Sequence, residues 1–398
     1  MKGINFFVLF ILCSIFVSAQ IPGDSGPHGP GPRDWWYTLE RGKVMFRQGD
    51  YGKALLVFED ARRQRRAIYE RMERDFVDVL SGREVRRIGD PLDRVESYIQ
   101  ERHFSAAAAL EELYYRIPKE SLNNSAAAAL AALGRLKDYP EAEYWIGEVY
   151  FAEGELGLAL SQFQKALSMR SLFENPGFAT ELQYKIAGIR RIRQEYTEME
   201  RALLLILAAD SLWSDDGRRE SPGIPQPDTG EAIPAEFSGS FARLAMVRTL
   251  ENNGINRFIT MYRYNNAESA EAHRLLGFYY HNTGRYGRAH EHLMFAFLIQ
   301  NTVIIEEIIR RQYDFTFTTL EALSAGINRN SLLSEYAEKN EYYKTAYYLG
   351  ASLYGNGKTA AARDIWNFLS TQNRAGEWQA RAVSQLRSPR VERAQEMP

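Results

Sequence analysis

Histidines are the residues of this chain best suited to chemistry, since four of its six lie close together: His273, His281, His290 and His292. Imidazole groups bind zinc or transfer protons, and a metal site requires several of them to converge on one point. On a helix, His290 and His292 face differently, whereas His273 and His281 share a face. No H-E-x-x-H pair occurs. The spacing therefore predicts surface and inter-helix histidines, with no metal and no other cofactor.

A second candidate is the sequence Gly-Asn-Gly-Lys-Thr at 355–359, which has the form of the end of a phosphate-binding loop. The full pattern requires a glycine five residues before Gly357, where this chain has Ser352. A phosphate-binding loop also follows a buried strand, whereas this stretch lies between two helical patterns. We predict no nucleotide site, and we interpret Gly357 as a helix stop.

The remaining charged residues are arranged for solvation rather than catalysis. The arginines of 62–66 and those of 190–193 are each followed by acidic residues, which favours solvated helix faces over a partner-docking patch. No serine lies in a G-x-S-x-G turn, and no two carboxylates form a recognisable acid–base pair. The net charge is −2, which favours neither nucleic acid nor an anionic surface as a partner. We predict that the protein is not an enzyme.

The N-terminal residues 1–19 have the pattern of a secretory signal peptide. Lys2 precedes an apolar run from Phe6 to Val17, and small residues follow at the predicted cleavage site before Gln20. The run is shorter than the roughly 20 residues of a transmembrane helix, although an uncleaved anchor is the alternative. Cleavage would remove Cys13, the one cysteine. We expect a bacterial protein of the periplasm or cell envelope that contains no disulfides.

A recurrent pattern of small and large residues must position any site in the rest of the chain. A glycine on a first helix allows close approach of a second helix, and another glycine seven residues later ends the first helix. The second helix then places apolar residues at steps of three and four. The copies contain the glycine pairs Gly42 and Gly49, Gly147 and Gly154, Gly277 and Gly284, and Gly350 and Gly357. One hairpin cannot bury its apolar face alone, so the pattern predicts an array.

These residues resemble the tetratricopeptide repeat (TPR), whose 34-residue pattern contains W-x2-L-G-x2-Y, a turn glycine and A-x3-F. The best copy matches it at Leu276, Gly277, Tyr280, Gly284, Tyr286, Ala289, Leu293 and Ala296. It departs from the family at His273, where Trp is preferred, and at Asn301, near where Pro is common. The resemblance implies an all-α fold, a right-handed superhelix of antiparallel helical hairpins (a TPR-like α-solenoid) in which several repeats are degenerate.

The predicted organisation has six parts. They are a signal peptide at 1–19, a Pro/Gly-rich flexible tether at 20–34, N-terminal repeats at 35–213, a linker or long loop at 214–237, C-terminal repeats at 238–387, and a disordered tail at 388–398. The range 214–237 contains four prolines and three glycines, and it is equally compatible with an insertion inside one continuous array. We also expect the helix that begins near Lys53 to continue toward Leu80.

In proteins that resemble this family, ligands lie against the first helix of each hairpin. Carried over by position, the candidate groove residues are Trp36, Leu39, Lys43, Phe46, Arg47, Tyr144, Glu148, Phe151, Arg274, Phe278, His281, Asn282, Tyr347, Ala351 and Tyr354. They are aromatic with mixed charge, and they lack the Lys and Asn arrangement with which chaperone-binding TPRs hold a terminal carboxylate. The alternative for each aromatic residue is packing against the adjacent repeat.

The resemblance implies a non-enzymatic exported scaffold that binds a peptide or a partner domain in a concave, aromatic-lined groove. One alternative is an accessory subunit of a cell-envelope transport or outer-membrane assembly complex that binds through its edges. Another is a solenoid-containing cell-wall hydrolase, which we disfavour because no segment is left for a catalytic lobe.

Overall fold

The computed structural model describes residues 35–80, 134–175, 177–210, 212–213 and 239–392. Every long regular element in these ranges is an α-helix, which confirms the all-α prediction. The helices are α1 (Trp35–Arg47), α2 (Tyr51–Leu80), α3 (Pro140–Ala152), α4 (Leu156–Ser168), α5 (Gly177–Ile192), α6 (Tyr196–Leu207), α7 (Gly239–Met261), α8 (Ala267–Asn282), α9 (Tyr286–Arg311), α10 (Leu320–Asn328), α11 (Ser331–Lys339), α12 (Tyr342–Gly355), α13 (Thr359–Ser370) and α14 (Glu377–Arg387). The predicted signal peptide, tether and linker lie outside the described residues.

The chain divides into two compact units, Met1–Asp138 and Tyr139–Pro398. This division differs from the boundary that the sequence analysis placed at 214–237. Helices from before and after that range contact each other within the second unit, where the Tyr280 hydroxyl donates a 2.7 Å hydrogen bond to Glu200. Helices on both sides of 214–237 therefore pack within one unit, and the linker and insertion interpretations of that range both stay predictions.

In the part of the chain that the structure describes, five helical hairpins share one type of turn: α1/α2, α3/α4, α5/α6, α8/α9 and α12/α13. In α8/α9, the Arg285 amide donates to the Tyr280 carbonyl (2.8 Å) and the Gly284 amide donates to the His281 carbonyl (3.1 Å). This pair of bonds is a Schellman motif, whose C′ residue must adopt a positive φ. The C′ residues are Gly49, Gly154, Gln194, Gly284 and Gly357, with φ of 81°, 84°, 61°, 75° and 77°.

Gln194 is the one non-glycine residue among these five turn positions, and its side chain is exposed. A left-handed conformation costs an L-residue about 1–2 kcal/mol, partly offset by the entropy that glycine adds to the unfolded chain. We therefore expect Gln194→Gly to raise the free energy of unfolding by about 0.5–1 kcal/mol, measured by urea denaturation. The reciprocal Gly154→Gln should lower it by a similar amount. A destabilised Gln194→Gly variant would contradict this explanation.

Small residues on the first helices allow the paired helices to touch, as the sequence predicts. A Cβ atom at Gly277 would lie 2.5 Å from Leu293 Cγ, and one at Gly350 would lie 2.7 Å from Trp366 Nε1. The same register holds in α5/α6, where Ala187 occupies the glycine position and is 1% exposed. The spacing of 16 residues between the small residue and its large partner is therefore a shared geometric feature of the hairpins.

Helices α2 and α9 are longer than a hairpin requires. Helix α2 extends to Leu80, as predicted from the sequence after Lys53. Helix α9 continues through Asn301, which is buried; its Nδ2 donates to the Phe297 carbonyl (2.6 Å), and its Oδ1 accepts from the Tyr342 hydroxyl (2.9 Å). By length and composition α9 would be capable of crossing a membrane, but 78% of its apolar window is buried inside the protein, as in a core helix.

Candidate functional site

The candidate groove residues of α1 are unevenly exposed within the first unit. Trp36 and Arg47 are exposed, whereas Leu39 is 4% exposed and belongs to the core. Lys43 and Phe46 are partly buried, and Lys43 has an acidic ion-pair partner one turn earlier on the same helix. The prediction that Leu39 faces a partner is therefore wrong, because its side chain packs inside the hairpin.

The candidates of α3 fill the space between the first helices of two successive hairpins. The Tyr144 hydroxyl donates to Glu181, and Glu148 forms a 2.9 Å ion pair with Lys185. The ammonium of Lys185 also lies 5.7 Å from the centre of the Phe151 ring. Burial, followed by the neighbouring carboxylates, raises the pKa of Tyr144, and burial raises the pKa of Glu148. These three side chains therefore have partners within the chain, as in the packing alternative.

The candidates of α8 show the same arrangement against α12. Arg274 pairs with Glu341, and its guanidinium lies 5.6 Å from the centre of the Phe278 ring. Lys344 approaches the same ring to 5.1 Å, and Phe278 is 3% exposed. Asn282 is half-buried at the end of the helix. Phe278 is therefore an inter-helix residue rather than an open groove residue.

Residues 388–392 lie across the first helices α8 and α12 and are held mainly through main-chain atoms. The buried Gln385 amide accepts from the Arg390 N–H (2.8 Å) and donates to the Arg390 carbonyl (3.1 Å). His281 Nε2 donates to the main-chain oxygen of Glu392. The Tyr354 hydroxyl donates to the main-chain oxygen of Pro389 (3.4 Å). This contact brings together predicted groove residues from two hairpins.

The side chain of Glu392 supplies a further contact between this segment and the helices. Its carboxylate accepts from the Tyr347 hydroxyl (2.6 Å) and from Arg390 Nε (2.9 Å). Burial raises the pKa of Glu392, but the Tyr347 hydrogen bond and the charges of Arg390 and Arg381 outweigh it and leave the pKa below its usual value. Burial and the same hydrogen bond raise the pKa of Tyr347. The site therefore favours an ionised carboxylate beside a neutral phenol.

The position of His281 is fixed from both sides. A carbonyl oxygen only accepts, so Nε2 carries the proton that is donated to Glu392 O, and Nδ1 accepts from the Ser352 hydroxyl at 2.9 Å. Burial lowers the pKa of His281, which favours this neutral form. Ala351 is also buried, at 1% exposure, so it offers no open contact surface.

The contacts of 388–392 correct the prediction of a disordered tail over 388–398; residues 393–398 lie outside the described residues. The segment has no apolar period, which led to that prediction, but a buried amide satisfies its main-chain groups instead. Sequence reasoning also missed Gln385, Ser352 and Glu392 as members of this site. One signal existed, because Gln385 lies one helical turn after the buried Ala382, on the inner face of α14.

The four clustered histidines, His273, His281, His290 and His292, are buried, which corrects the prediction that some of them lie at the surface. His273 Nδ1 lies 3.0 Å from His292 Nδ1, and Trp213 stacks on His292 with ring centres 4.6 Å apart. Burial and the nearby Arg243 and Arg288 lower the pKa of His292 to about 3, and burial and the neighbouring His292 lower the pKa of His273 well below its usual value. In the described residues no three potential metal ligands converge. The geometry is that of a neutral, hydrogen-bonded pair in the core.

The sequence at 355–359 forms the α12/α13 turn. Gly357 has a φ of 77°, and Lys358 Nζ lies 2.9 Å from a carboxylate oxygen of Glu251. The lysine thus has an acidic partner, and the stretch connects two helices, as the sequence analysis expected. Its role is to end α12.

One of the basic runs departs from the prediction of a solvated face. Arg65 is 1% exposed, its Nε donates to the Leu136 carbonyl (3.1 Å), and its guanidinium lies 5.3 Å from the centre of the Tyr69 ring. Arg193, in the other run, is exposed and pairs with Glu195 at 2.8 Å. The first run therefore contributes a buried guanidinium to the first unit, whereas Arg193 in the second run agrees with the prediction.

Comparison with known proteins gives a relative but no functional assignment. The chain is similar to an uncharacterized protein of Treponema pallidum (strain Nichols), with 24% identity over 355 residues, which cover 89% of this chain and 90% of that protein. No protein-family model matches the chain.

Proposed function

We propose that the protein is a non-enzymatic, exported scaffold of the TPR type, whose hairpins stack as a right-handed superhelix and whose first helices bind an extended peptide. The observation that carries this proposal is the seating of residues 388–392 across α8 and α12. A segment without regular structure is held there by hydrogen bonds from His281, Tyr354 and Gln385 to its main chain. A surface that holds one extended segment in this way has the groups needed to hold another.

The five shared hairpin turns support the same proposal, because a repeated register is the basis of TPR arrays. The proposed binding face contains fewer residues than the set of candidates taken from the sequence. It consists of His281, Tyr347 and Tyr354, which hydrogen-bond to the C-terminal segment, whereas most other candidates in the second unit pack between helices. We place the protein in the periplasm or cell envelope, which a mature N-terminus at Gln20 would support.

The test is selection of peptides from a phage-displayed library on the mature chain, followed by photo-crosslinking of the selected peptides and mass spectrometry. We expect crosslinks on α8, α12 and α14, near His281, Tyr347 and Gln385. Crosslinks confined to the second helices α4 and α13 would overturn the proposal. The edge-binding alternative predicts crosslinks at the turns between helices instead.

A further inference from the structure

We propose that the face around Gln385 and Tyr347 is specific for an extended segment of a partner protein that carries a carboxylate side chain, and that the chain's own residues 388–392 occupy it as an intramolecular competitor. This inference deepens the scaffold function above and rests on it. It adds the chemical class of the ligand and a form of regulation.

The first part of the recognition is independent of side-chain identity. Gln385 is 1% exposed, and its amide uses both its acceptor and a donor on the N–H and C=O of Arg390. A buried amide that is left without partners costs about 1–3 kcal/mol, so an occupied site is favoured over an empty one. Any residue except proline presents the same two main-chain groups. The site therefore requires an extended strand with a free N–H at this point.

The second part selects a carboxylate. Glu392 lies two residues after Arg390, and its side chain reaches the Tyr347 hydroxyl at 2.6 Å. Arg381 contributes positive charge beside it and packs against Trp378, with the guanidinium 4.9 Å from the ring centre. A hydrogen bond to a charged acceptor contributes more than a neutral one, about 1.5–3 kcal/mol. The matching partner segment has Glu or Asp two residues after the position that Gln385 contacts.

Residues 388–392 compete with a partner segment because they are covalently joined to α14. Arg390 lies three residues after the end of α14 at Arg387, so the segment remains close to its site when it dissociates. A short tether gives an effective concentration on the order of 1 mM. A partner segment with equal contacts would then bind poorly until the resident segment is released. While residues 388–392 occupy the face, other ligands are excluded from it. A carboxylate-bearing ligand that binds more tightly displaces these residues.

The experiment uses the full mature chain and a fluorescein-labelled peptide with the sequence of 388–398, with binding measured by fluorescence anisotropy. The release variant carries Arg390→Pro, which removes the N–H that Gln385 accepts from, together with Glu392→Gln. We expect the peptide to bind this variant at least about tenfold more tightly than wild type, because the tethered competitor is weakened. The matched control Val391→Ala changes a neighbouring side chain that is 51% exposed, and it should bind like wild type.

Specificity is tested with a peptide that carries the same two substitutions, which should bind neither chain. Far-UV circular dichroism should be the same for all chains, because the substitutions lie beyond the last helix. The inference is overturned when the folded release variant binds the natural peptide no more tightly than wild type. If library-selected peptides still crosslink to α8 and α12 in that case, the scaffold function stands and the competitor role alone fails.

Discussion

The free energy of unfolding should fall by about 4 kcal/mol when the pH is lowered from 7 to 5. The cause is the buried pair of His273 and His292. Burial keeps both pKa values well below the ordinary value of 6.5, to about 3 for His292. In the unfolded chain both imidazoles take up protons as the pH falls through 6.5.

The direction of this change with pH follows from the number of protons that the folded and unfolded states bind. Between pH 6.5 and the folded pKa values, the unfolded state holds more protons than the folded state, so stability rises with pH and is lost on acidification. Each depressed histidine changes the free energy by about 1.4 kcal/mol per pH unit in this window. A proton on the ring that accepts this hydrogen bond would also place two donors at the 3.0 Å contact between the Nδ1 atoms. The pair therefore resists protonation in the folded protein.

The measurement is urea unfolding at pH 7, 6 and 5, with His273→Phe as the comparison. Phe retains an aromatic ring against Phe295, whose ring centre lies 5.3 Å from that of His273, and it removes one titrating group. Although this variant is less stable overall, its loss of stability per pH unit should be smaller by about 1.4 kcal/mol. Equal pH slopes for the variant and wild type would show that His273 does not titrate on unfolding as proposed.

The variant Gly277→Ala should lower the free energy of unfolding by about 2 kcal/mol. Alanine favours a helix over glycine by about 1 kcal/mol, which opposes the loss. The added methyl group, however, would lie 2.5 Å from Leu293 Cγ and 3.3 Å from the Leu293 amide nitrogen. Because the backbone of α9 is part of this contact, a change of rotamer alone cannot relieve it.

The matched control is Gly287→Ala, which changes a glycine in α9, the partner helix of α8. A Cβ atom there meets Asn356 Oδ1 at 3.7 Å, which is an ordinary contact. It should leave stability unchanged or raise it by up to about 1 kcal/mol, because helix propensity then acts alone. Thermal unfolding of both variants provides the comparison. If Gly277→Ala is as stable as Gly287→Ala, the close approach of α8 and α9 is not what requires glycine.

Local signals in the sequence were sufficient to predict the hairpins. Gly49, Gly154, Gly284 and Gly357 mark turns because each position needs a positive φ, and glycine adopts it without a Cβ penalty. The turn at Gln194 carries no such mark, and only the apolar spacing around it indicated a hairpin. The candidate residues were also placed on the correct first helices.

The exposure of those candidates was not predictable from the sequence. Whether Tyr144 lines a groove or meets Glu181 depends on how closely two helices pack that are 37 residues apart, and no spacing within one hairpin specifies that distance. The docking of 388–392 is harder still to predict. It relies on main-chain groups of Arg390, which every non-proline residue carries, and on a single glutamine of α14.

Helix α9 has a mechanical consequence for the second unit. Its 26 residues form a rod about 39 Å long at 1.5 Å per residue. It is in contact with α7, α8, α10 and α12, so it connects the hairpins α8/α9 and α12/α13 as one rigid support. Bending between α8 and α12 would have to strain this rod. The α6–α8 contact does not involve α9, so it should bend more easily than the contact between α8 and α12.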